Sequence, residues 1–94
     1  MKHFAYSFSE GKASRDGSGV ERTIRLYRIV RNTPEFLIEV SASYLNEWQL
    51  VMDGLEKVKA LPQAAFARNP GTGALKYKSA WALKEAGIAS VTAL

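Results

Sequence analysis

The chain has 94 residues, 47% of them hydrophobic and 23% charged, with thirteen Lys and Arg against nine Asp and Glu, a net charge of +4, one histidine and no cysteine. That length suits a single domain with one core, and the balance of apolar and charged residues is that of a globular chain rather than a disordered one. Without cysteine there is no disulfide framework, thiolate nucleophile or cysteine-bound zinc, and no run of about 18 apolar residues is present to span a membrane as a helix.

Residues 3–8 alternate, with Phe4, Tyr6 and Phe8 on one side and His3, Ala5 and Ser7 on the other, which predicts a half-buried strand. The same alternation leaves no continuous apolar stretch at the start, so neither a signal peptide nor an anchor is expected, and cytoplasm is the expected location. Residues 9–19 are rich in Gly, Ser and charge and predict a flexible polar loop. Residues 22–31 are rich in β-branched and aromatic types and predict a second strand. Asn32-Thr33-Pro34 reads as the turn, and residues 35–41 predict a third strand.

A hairpin centred on Thr33 places Arg31 opposite Glu35, Ile29 opposite Leu37 and Tyr27 opposite Glu39 on one face. Val30 with Phe36, Arg28 with Ile38, Leu26 with Val40 and Ile24 with Ala42 then occupy the other, which is the better core. Ser43 is the expected N-cap of a helix running to residue 58, with Tyr44, Leu45, Trp48, Val51, Met52, Leu55 and Val58 on its apolar stripe. Leu50 falls on the polar side. Gly54 weakens the helix interior by about 1 kcal/mol relative to Ala, so close packing on the sheet is the expected reason for it.

Residues 63–69 fit a short strand, a helical turn or a packed connector. Gly71-Thr72-Gly73 predicts a loop before a second helix over 74–86, ended by Gly87, and residues 88–94 fit a short fourth strand at the sheet edge. The expected fold is therefore a single α+β domain over residues 1–94. It is a two-layer sandwich of order β-β-β-α-α with a possible final β, an antiparallel sheet of three to four strands carrying helices on one face.

Catalysis has little to work with. His3 is the only histidine and has no orienting partner in the sequence, a zinc site lacks a second ligand, and Glu35 and Glu39 lie about 13 Å apart along a strand, too far for a coupled acid–base pair. The expectation is a protein that is not an enzyme and takes no cofactor. Tyr27, Ile29 and Leu37, rimmed by Arg25, Arg31, Glu35 and Glu39, have the composition of a protein interface, with the chain itself or another protein as partner. A homodimer suits this self-complementary rim. The alternative is a nucleic-acid-binding accessory protein. Its contacts would be Lys12 and Arg15 in the first loop and Arg25 on the second strand, with Lys76 and Lys78 beside the free amides of Gly71, Thr72 and Gly73.

Overall fold

The computed structural model describes residues 1–13, 20–61, 66–68, 75–77 and 79–94, with side chains at 1–11, 20–61 and 80–94. In chain order its elements are β1 (Lys2–Ala13), β2 (Val20–Val30), β3 (Thr33–Ala42), α1 (Glu47–Lys57), β4 (Phe66–Arg68), β5 (Leu75–Tyr77), α2 (Ser79–Glu85) and β6 (Ile88–Ala93). The main sheet runs β3-β2-β1-β6, and β4 pairs with β5 in a small separate ribbon. It is an α+β domain, with the helices gathered on one face of the sheet.

Alternation selects the buried face. In the β1–β2 register Phe4 lies opposite Arg28, Tyr6 opposite Leu26 and Phe8 opposite Ile24. Ile24 and Leu26 are fully buried, with Phe4 and Tyr6 nearly so. Val40 joins them from β3, and Leu50, Val51, Met52, Leu55, Leu61, Ala82 and Ile88 complete the cluster. No polar or charged residue is buried among the described residues. The centre of this inner face is apolar, and its charged residues, Glu10, Arg22, Arg28 and Glu35, lie toward its ends.

β1 is longer than its alternation predicts. Residues 9–13, expected in the loop, are strand, because β2 is long enough to pair with them: Ser9 meets Thr23, Glu10 meets Arg22, and Ala13 meets Val20 after a register shift. An ion pair of 3.2 Å between Arg22 Nε and Glu10 Oε1 joins the two strands there. Backbone pairing needs no apolar side chains, so a polar stretch extends the sheet. Residues 14–19 of the expected loop lie outside the described residues.

The β2–β3 turn also differs. Arg31 and Asn32 have φ of 52° and 62°, so both central residues of a two-residue hairpin are left-handed, the pattern of a type I′ turn. Thr33-Pro34, read as part of the turn, instead begins β3, which is an edge strand and tolerates a proline. Near the tip Tyr27 pairs with Phe36, Arg28 with Glu35 and Ile29 with Pro34. Nearer the base Leu26 pairs with Ile38, Arg25 with Glu39 and Ile24 with Val40. Leu37 is the extra residue between the two runs, a β-bulge. Both Leu37 and Ile38 pack against the core.

α1 begins later than Ser43. Asn46 is its N-cap, accepting from the Gln49 amide at 2.8 Å while the Gln49 side chain accepts from the Asn46 amide at 2.9 Å. This reciprocal capping box satisfies two otherwise open donors. Fully buried Leu50, Gly54, Val51, Leu55 and Met52 sweep an arc of about 200° at roughly 100° per residue. The helix is therefore covered on more than its sheet side, and Leu50 is core rather than an outlier.

The second expected helix is split. Leu75–Tyr77 pairs antiparallel with Phe66–Arg68, and only Ser79–Glu85 is helical. Leu75 and Tyr77 alternate around Lys76, a strand period inside a stretch that otherwise reads as helical. Gly87, with φ of 70°, ends α2 as expected. β6 forms the fourth strand but runs parallel to β1, so the sheet is mixed rather than wholly antiparallel. It reaches the sheet after passing through the helical layer, the crossover that parallel neighbours require.

One polar contact ties the sheet to α1. The Tyr6 hydroxyl donates to Glu47 Oε2 at 2.8 Å. Burial pushes the Tyr6 phenol above its ordinary value of 10.0, and the hydrogen bond to the Glu47 carboxylate and its charge push it further. A raised folded value means that this contribution is complete below the unfolded value and fades as pH climbs through the folded one. Denaturant unfolding should therefore show native stability falling above about pH 10, with Tyr6→Phe lacking that decline but starting about 1 kcal/mol lower near neutrality. Parallel pH profiles in the two proteins would refute this role for the contact.

Candidate functional site

The face of the sheet opposite the helices carries His3, Ala5, Ser7 and Ser9 of β1 and the odd-numbered residues of β2 from Thr23 to Ile29. From β3 it takes Pro34, Phe36, Glu39 and Ser41, which stand opposite β2 residues of that face. Three cross-strand contacts cover much of it. His3 Nδ1 and the Ser90 hydroxyl are 2.8 Å apart, the Thr23 and Ser41 hydroxyls 2.7 Å apart, and Arg25 Nε donates to Glu39 Oε1 at 3.0 Å. The Glu39 carboxylate, followed by the Tyr27 hydroxyl, holds the Arg25 guanidinium above its ordinary range. Both side chains of that pair are largely exposed, so it orients the rim and adds little stability.

Beyond these polar pairs, toward the hairpin tip, the face becomes apolar. The Tyr27 and Phe36 rings lie with centroids 5.8 Å apart and planes tilted by 55°. Ile29 and Pro34 are opposite one another in the adjoining position. Phe36 is 50% exposed, and Ile29 and Tyr27 are half-buried. Single exposed apolar side chains are ordinary and a contiguous group is the informative feature; here Tyr27, Ile29, Pro34 and Phe36 adjoin one another.

The structure divides the residues expected at this surface. Arg25, Tyr27, Ile29 and Glu39 stand together on the outer face. Arg31 is instead the first turn residue. Glu35 lies on the inner side, 3.6 Å from Arg28 Nη2, and Leu37 packs on the core through the bulge. Phe36 stands opposite Tyr27, where Glu39 was expected, and Pro34 opposite Ile29, where Leu37 was expected. The signal for this was Asn32, which readily adopts a left-handed conformation. A two-residue turn on Arg31-Asn32 pairs Tyr27 with Phe36 directly.

Of the residues expected to contact nucleic acid or another anion, Arg15, Gly71, Thr72, Gly73 and Lys78 lie outside the described residues. Lys12 and Lys76 are described by backbone alone, in β1 and β5. The glycine loop leads into β5 rather than directly into a helix. On β2, Arg22, Arg25 and Arg28 each hold a carboxylate, of Glu10, Glu39 and Glu35 respectively. Arg22 also donates to the Ser43 and Leu45 carbonyls at 3.3 and 3.4 Å, fastening the connection into α1.

Among the described residues no group of three His, Cys, Asp or Glu side chains is placed to hold a metal ion, and no helix is long and apolar enough to cross a membrane. Comparison with known proteins found no matching family model, no matching curated protein and no matching solved structure.

Proposed function

We propose that the chain is a non-catalytic interaction module that pairs with a second copy of itself through the outer sheet face, centred on Tyr27, Ile29, Pro34 and Phe36. The observation that carries this reading is the half-exposed Phe36 ring against Tyr27 on the helix-free face. The rim supports a second copy as partner. A two-fold axis through the face sets Arg25 of one chain near Glu39 of the other, so every charge meets its opposite. The pairing of Arg22, Arg25 and Arg28 with acids supports a protein partner over a phosphate backbone, since a neutralised arginine releases little counterion on binding. Cytoplasm remains the proposed location.

Light scattering on the purified chain tests the reading. The expected mass is twice that of the chain, falling to a single chain in a Tyr27→Ser, Phe36→Ser variant whose unfolding midpoint is no lower than the native one at high dilution. A native protein that stays monomeric at concentrations far above those of ordinary dimers, on the order of 1 mM, would end it.

A further inference from the structure

On the inner face, α1 stops at Lys57 while the β2–β3 hairpin continues beyond it. The shortfall leaves a cleft of about 210 Å³ between the end of the helix and the overhanging strands. Among the described residues its lining is apolar Phe4, Leu37, Val58 and Ala60 with the charged Lys2, Arg28 and Lys59. Every charge in the lining is positive. Glu35 reaches Arg28 from outside the cleft at 3.6 Å, but neither Lys2 nor Lys59 forms an ion pair with a described residue. The bulge makes this arrangement, because it turns Leu37 inward to close the side that a regular strand would leave open.

We propose that this cleft binds a small carboxylic acid with an apolar body, a single aromatic ring or a short acyl chain. Size limits the body: a cavity of about 150 Å³ already admits benzene, and clefts for drug-sized ligands start at roughly 300 Å³. Charge selects the head group, since a lining whose charged residues are Lys2, Arg28 and Lys59 attracts an anion and can offer it hydrogen-bond donors. The ligand meets the inner face, so this site is independent of the outer-face dimer and can fail or hold without it.

Amide chemical shifts of the full chain, followed during titration with phenylacetate, phenylacetamide and acetate at constant ionic strength, test the proposal. Phenylacetate should move the amides of Phe4, Leu37, Lys59 and Ala60 saturably, with a dissociation constant on the order of 1 mM for a ligand of about ten heavy atoms. Phenylacetamide and acetate should each bind at least about tenfold more weakly, one lacking the charge and the other the ring. Lys59→Glu and Lys2→Glu lie at exposed positions and should each weaken phenylacetate by about threefold to tenfold. The site is refuted if phenylacetate causes no saturable shift at about ten times that concentration, if either control binds as well as phenylacetate, or if both charge reversals leave its affinity unchanged.

Discussion

Leu50→Ala should cost about 3 kcal/mol of folding stability, within the range of roughly 2–5 kcal/mol for emptying a fully buried leucine site. The residue has no exposed surface and belongs to the cluster that contains Leu61 of the following connection and Ala82 of α2. Removing its isobutyl group forfeits burial energy and leaves a hole that the flanking helix can fill only by moving. A domain of this length has little stability to spare, so the variant should lose a large share of its total. Urea unfolding measures this directly. Leu50 on the solvated side of α1, where its spacing among Asn46, Gln49 and Asp53 puts it, would make the same substitution nearly silent. A loss below about 0.5 kcal/mol, typical of surface sites, would mean that α1 is covered on its sheet side alone.

The inner face was legible because it obeys a period. Phe4, Tyr6, Ile24, Leu26, Ile38 and Val40 alternate along their strands, and all of them point inward. The hairpin tip obeys no period. Its register hangs on which residues turn, and Pro34, a strong turn former, draws the reading from Arg31-Asn32 to a turn centred on Thr33. From that shift follow the misplaced Arg31, Glu35 and Leu37, and Phe36, expected in the core opposite Val30 and found on the outer face. The bulge then hides the error at the base of the hairpin, where the extra residue restores the expected faces. Leu50 was misread because a single apolar stripe describes a helix with one neighbour. The direction of β6 depends on the route of the chain through the helical layer, which no local pattern records. The shared face of Arg25, Tyr27, Ile29 and Glu39 was readable from alternation, whereas the cleft draws Phe4, Leu37, Val58 and Ala60 from separate segments that no local pattern brings together.

The other large effect is expected at Gly54, where α1 rests closely on the sheet. A Cβ built there would meet Ile24 Cδ1 at 3.3 Å, with Leu26 Cδ2 and Val40 Cγ2 each at 3.5 Å. Gly54→Ala should fall within about 1 kcal/mol of the native protein, because the gain in helix propensity offsets a small displacement of one flexible methyl group. Gly54→Val adds two further methyl groups where three side chains already touch, and should cost about 2–3 kcal/mol through forced rotamers or a lifted helix. Shortening the obstructing side chain separates these causes. Ile24→Val in the Gly54→Val background should cost less than Ile24→Val alone, giving a favourable coupling of about 1 kcal/mol between the sites. If Gly54→Val proves as stable as Gly54→Ala, the helix does not rest on β2 and β3 at this point.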